Sequence, residues 1–197
     1  MKLLKEHSYD IIKLGLYQFV TSVFAIILDI PVAAEISDGS LQTKILALVS
    51  FLAIVLYYYL IYSTSWEWGA KDKIRVDAGR LEPNKYKGAI VGLAANALNL
   101  IMAVILFVCI LIGNGASGAV FQVIYYILYI FSFMYYGIFE FAFESLSANT
   151  FLNYSLRCAG YFVLPLVAVS VIHLGYILGY KEKRLFASNK NAKNSHK

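Results

Sequence analysis

Long apolar runs alternate with short polar connections along the whole chain. Residues 14–28 are apolar, and Ile11 and Ile12 extend that run backwards. Residues 45–65 carry no charge, and further apolar runs cover 88–112, 119–143 and 160–180. A helix rises 1.5 Å per residue, so about 20 apolar residues cover a hydrocarbon core of ~30 Å. The pattern predicts an all-α fold, a transmembrane helix bundle. It has either four full crossings plus one aromatic-rich re-entrant or interfacial segment, or five full spans. One transmembrane domain is expected over 1–185, with a cytoplasmic loop at 66–88 and a disordered basic tail at 186–197.

The first run follows Lys2 and Lys5 and begins after Lys13. Val32 and Ala34 are small enough for a signal-peptide cleavage site, but Asp29 and Pro31 intervene, and an uncleaved span is expected. Counted from Ile11 and Ile12, that helix reaches Asp29 near the far interface, as a helix-end residue. The alternative is that Asp29 joins Glu140 and Glu144 in an external acidic vestibule.

Charge distribution then sets a conflict. Lys71, Lys73, Arg75, Arg80, Lys85 and Lys87 crowd into the segment between the second and third runs, and Lys181, Lys183, Arg184, Lys190, Lys193 and Lys197 follow the last. The positive-inside rule asks for both segments, and the lysine-bearing N-terminus, in the cytoplasm of a cell-membrane protein. That requires an even number of crossings between Gly88 and Lys181, whereas the apolar runs number three. The suspect segment is 119–144, in which 11 of 26 residues are Tyr or Phe, a load suited to an interfacial or re-entrant piece. Its length argues the other way, since 26 helical residues reach about 39 Å.

Composition supports the membrane reading. Hydrophobic residues make up 60% and charged residues 15%, against about 25% charged in an ordinary soluble domain. The net charge of +5 lies in segments flanking apolar runs. Its expected partners are the lipid bilayer and anionic headgroups, not nucleic acid. Cys109 and Cys158 lie in or between apolar runs and are read as unpaired. Neither has the neighbours a zinc site needs, and no metal or other cofactor is expected.

Two stretches resemble a group of small, uncharacterised bacterial integral-membrane proteins. The first comprises Trp66, Gly69, Asp72, Arg75, Val76, Gly79, Arg80, Lys85, Lys87 and Gly88. The second comprises Gly175, Tyr176, Gly179, Tyr180 and Lys181. Such relatives often have Asn where this chain has Ile74, and their segment before the last span differs. The resemblance implies no activity. It does imply that the last span ends at the cytoplasmic face.

Few polar residues can carry chemistry. His173 sits about 12 Å into the membrane from Lys181, near the midplane. Asn96 and Asn99 lie at similar depth on the third run. The three form a candidate intramembrane polar cluster for a small solute, ion or proton; the alternative is ordinary interhelical hydrogen bonding. Glu140 and Glu144 are an i, i+4 pair that projects from one helix face and either binds a cation, shares a proton or is simply solvated. Trp66, Asp72, Arg75 and Arg80 are candidates for binding a protein partner through the loop. Gly88 and Gly92, and Gly175 and Gly179, give small helix faces for packing or homo-oligomerisation.

No H-E-x-x-H, G-x-S-x-G or P-loop pattern occurs, so an enzyme is the weakest class. The expected function is a small transporter-like protein or subunit moving a small solute or ion. The alternative is a non-catalytic accessory, immunity or envelope-stress protein acting through its basic loop.

Overall fold

The computed structural model describes residues 7–111, 118–143 and 150–183, with backbone alone at 150–154. Glu144 and the 186–197 tail lie outside the described residues. The elements are α1 (Ser8–Glu35), α2 (Gly39–Asp77), α3 (Lys87–Leu111), α4 (Ala119–Phe131), a 3-10 turn (Phe133–Tyr135), α5 (Tyr136–Phe143) and α6 (Thr150–Tyr180). Among the described residues there is no strand.

Four of these helices, α1, α2, α3 and α6, are long and apolar enough to cross a membrane. Their polarity is arranged as a bilayer demands. Leu48, Phe51, Leu52 and Val55 of α2, Leu98 and Ile101 of α3, and Val163 and Leu174 of α6 point outward, while Ser22, Ser50, Ser65 and Asn96 are buried. An apolar exterior around a partly polar interior inverts the soluble-protein pattern and marks a chain solvated by lipid.

Helix α2 corrects the expected boundaries. It runs 39 residues, about 58 Å, straight through Trp66 to Asp77, so the loop proper begins at Ala78. No proline interrupts Ser65–Asp77, and the i, i+4 pair of Lys73 with Asp77 (2.7 Å) supports the last turn. The stop is a Schellman turn, in which Arg80 N–H donates to the Arg75 carbonyl and Gly79 N–H to that of Val76, with Gly79 at φ +68°. Asp38 caps the other end by accepting from the N–H groups of Ser40 and Leu41. Helix α6 begins at Thr150, ten residues before the apolar run suggests.

The aromatic segment is a hairpin that enters and leaves at one end of the bundle. Helices α4 and α5 are bent by 78° at their junction. Tyr161 of α6 touches Tyr125 on the way in (6.0 Å between ring centres) and Phe139 on the way out (5.5 Å). The tip between them reaches Gln18, Thr21 and Ser22 of α1. The chain therefore crosses the bundle twice between Gly88 and Lys181, through α3 and α6. The basic loop and the end of α6 consequently share one end of the molecule, the basic end, where the Trp66 indole N–H donates to the Lys183 carbonyl at 2.8 Å. The start of α1 is there too, since Thr64 of α2 donates to the Tyr17 hydroxyl.

Candidate functional site

At the basic end the two stretches singled out in the sequence meet each other. Glycines let α2 and α6 approach to backbone contact: a Cβ at Gly69 would overlap the Tyr176 carbonyl, one at Gly175 the Ser65 hydroxyl, and one at Gly179 the Trp66 carbonyl. Helix α3 closes on the same place through Gly88, where a Cβ would stand 2.7 Å from that of Tyr176. Between the three helices lies a buried clasp. Lys87 Nζ donates to Asp72 Oδ2 at 2.6 Å and the Tyr176 hydroxyl donates to the same oxygen at 3.0 Å. The Asp72 and Lys87 side chains are 3% and 8% exposed. A carboxylate and an ammonium so withdrawn from water are tolerable because each neutralises the other and a hydroxyl adds a further bond.

This arrangement divides the four loop candidates. Asp72 faces the bundle interior, so its carboxylate is spent on Lys87 and Tyr176 and is withdrawn from any external partner. Trp66 uses its indole N–H within the chain. Arg75 and Arg80 are exposed.

At mid-depth a second polar group forms around the hairpin tip. The chain leaves helical geometry at Ser132, and the freed Phe131 carbonyl accepts from Ser22 Oγ (2.7 Å) and Gln18 Nε2 (3.3 Å). Gln18 Nε2 also reaches Ser132 Oγ, while Gln18 Oε1 accepts from Asn99 Nδ2 at 2.7 Å. Asn96 donates to the Gly92 carbonyl of its own helix. Gln18, Tyr57, Asn96, Ser132, Tyr135 and Pro165 border a cavity of about 10 Å³, room for one water molecule. Pro165 has no N–H to offer the Tyr161 carbonyl, which softens α6 beside it. From the lipid side, a mainly apolar groove of about 330 Å³ between α1 and α3 has Gln18 and Asn99 in its wall.

The expected Asn96, Asn99 and His173 cluster is thus only partly assembled. His173 lies beside Gly88, its Cα 3.2 Å from where a Cβ would be. Asn96 is eight residues further along α3, about 12 Å, and faces Pro165 and Ala168 instead. The register is fixed by the close contacts of Gly88 with Tyr176 and of Gly92 with Val169 and Ile172. Gln18 and Ser132 occupy the place expected for His173. The His173 Nδ1 is buried with no hydrogen-bond partner among the described residues. Gln18 carried a signal: with Thr21 and Ser22 it forms an i, i+3, i+4 polar face inside the first apolar run.

At the hairpin end Glu140 is paired with Arg157 of α6, whose guanidinium donates to Oε1 at 2.8 Å. The acidic pair is therefore described only in its first member, and that member has a cation for a partner. Asp29 is not at a helix end: α1 continues through Pro31 to Glu35, and Asp29 turns inward. Among the described residues no three His, Cys, Asp or Glu side chains gather to hold a metal ion. Comparison with known protein families, with curated proteins and with solved structures found no match to this chain.

Proposed function

We propose that this chain is a small transporter-like protein of the cell membrane, moving a small solute or ion past the polar group at mid-depth. The observation that supports the reading is the hairpin tip. Backbone that leaves helical geometry at membrane depth persists where protein buries it or where it lines an aqueous path, and broken helices of this kind build the midplane sites of transporters. Here the interruption meets Gln18, Asn96 and Asn99, with a proline in the facing helix. The lining is of amides and hydroxyls without a formal charge, which suits a small uncharged polar solute or a single monovalent cation better than an anion. A cavity the size of one water corresponds to a closed state, so passage requires the hairpin to shift. By the positive-inside rule the basic end faces the cytoplasm and the hairpin opens to the outside.

The test is flux into vesicles containing the purified protein, over a panel of small polyols, amides and monovalent cations. Wild type should admit at least one of them, and Gln18→Leu should lose that flux while remaining folded and monodisperse. Uptake equal to that of protein-free vesicles across the panel would sink the reading. The accessory role is the second reading, favoured by the exposed Lys71, Arg75, Arg80 and Lys85 at the basic end. It gains if a protein captured by wild type is lost on replacing Arg75 and Arg80 with Gln.

A further inference from the structure

Four carboxylates on the described transmembrane helices and hairpin are withdrawn from solvent to different degrees, and three of them have a basic partner. Asp72 has Lys87, Glu140 has Arg157 and Asp10 has His7. Asp29 is different: it is 5% exposed, and neither of its oxygens meets a hydrogen-bond donor among the described residues. Its neighbours on the same helix are all bonded, since Gln18, Thr21 and Ser22 each donate to a partner. An ionised carboxylate buried with neither cation nor donor costs several kcal/mol, whereas a neutral acid forgoes only a hydrogen bond.

The surroundings offer little to change that balance. Helix α2 has no titratable side chain between Lys44 and Tyr57, and α3 has none between Lys87 and Cys109. Helix α4 contributes Tyr125, Tyr126 and Tyr129, and α6 contributes Arg157, Cys158 and Tyr161. Helix α5 contributes Tyr136 and Glu140, and the Glu140 carboxylate is paired with Arg157. Helix α5 is also a short element, eight residues, tied by the Gly137 N–H to Ser50 Oγ and by Glu140 to Arg157.

We propose that Asp29 is a proton-binding site inside the bundle, a step that rests on the transport reading for its purpose. Buried, Asp29 holds its proton as the neutral acid. When water reaches the carboxyl, the O–H bond breaks, water accepts the proton as hydronium, and Asp29 is left as a carboxylate. Reburial requires the proton to return. Opening of the bundle at this position is thereby linked to binding and release of one proton, and a pH gradient can bias it.

The experiment uses the full chain in lipid vesicles and infrared difference spectra recorded as pH is raised. Wild type should show the carbonyl stretch of a protonated carboxylic acid that disappears with rising pH. Asp29→Asn, which has the shape of the neutral acid, should lack that change, and Glu140→Gln should keep it. Aspartate labelled with carbon-13 should move the band in the unaltered protein, which keeps the test valid if the variant folds poorly. A band that does not change with pH, that survives Asp29→Asn, or that ignores the label overturns the proposal. Under an imposed pH gradient, Asp29→Asn should lose the gradient-dependent part of the solute flux. If the band behaves as expected but wild type moves no solute, the proton site stands and the transport reading falls. If solute moves and the band is missing, the proton site falls alone.

Discussion

The basic end and the hairpin end of this bundle solve the same problem, three packed elements in lipid, with glycines and rings in different proportion. At the basic end α2, α3 and α6 meet through glycines at backbone distance, and the charged pair within has its hydroxyl supplement. At the hairpin end one glycine does the same, since a Cβ at Gly137 would overlap the Leu46 carbonyl, and rings add further contacts, with Tyr129 edge-on to Phe133 and Tyr136 and Phe139 edge-on to Tyr161. The charged pair there is open on one side, with Glu140 about one-third exposed and Arg157 buried. Asp29 meets no hydrogen-bond donor among the described residues. The basic end thus has four close glycine contacts and a buried charged pair, the hairpin end a single glycine against backbone and a pair open on one side, and the mid-depth polar group lies between them.

The largest test of that contrast is removal of a charge from each end. Asp72→Ala strands the Lys87 ammonium in the interior and should cost about 3–5 kcal/mol, read by reversible unfolding in mixed micelles, whereas the double change Asp72→Leu with Lys87→Met should recover most of the loss. Glu140→Gln, which still offers the buried Arg157 an amide oxygen, should cost less, about 1–2 kcal/mol. Equal losses at the two ends would erase the distinction. Next in size is a methyl group at a close contact. Gly179→Ala forces apart α2 and α6 and should cost roughly 1–3 kcal/mol, while Gly15→Ala, which meets nothing within 4 Å, should be neutral or gain up to about 1 kcal/mol.

A smaller loss is expected at mid-depth. Gln18→Leu removes its bonds to Asn99, Phe131 and Ser132; at about 0.6 kcal/mol for an average interhelical bond, stability should fall by roughly 1–2 kcal/mol. A fall as large as that of Asp72→Ala would make this group a second structural clasp. The smallest change is a gain. Glu182 adopts φ 55° in the Schellman turn that ends α6, so Glu182→Gly should stabilise by about 1 kcal/mol.

Much of the fold was legible because lipid imposes simple rules. The apolar runs locate the four long helices, and the bases on either side of the third to last runs demand an even number of crossings, which the returning hairpin supplies. Boundaries were harder, because charge alone marked Trp66 as the start of a loop when no residue there stops a helix. The glycine and aromatic pattern around Gly69, Asp72, Gly88 and Tyr176 was visible as two separate stretches. Their convergence depends on α2 and α6 running parallel, which no local signal states. His173 separates from the two asparagines for a related reason: depth along a helix follows from its end, while the register of α3 on α6 is set by Gly88 and Gly92. Gln18 is a single amide in an apolar run and reads as unremarkable until its i+3 and i+4 neighbours are counted with it.

The clasp also dictates an order of assembly. Asp72 and Lys87 are 15 positions apart, so they can pair once α2 and α3 have entered the bilayer. Tyr176 is 104 positions from Asp72, and Gly175 and Gly179 come with it. During synthesis the nascent chain must hold α2 with its Ser65, Trp66 and Gly69 face open to lipid or to an insertion factor while the hairpin is made. The last helix then closes onto a seat prepared early, and a ribosome pause before Thr150 would prolong the life of that open intermediate.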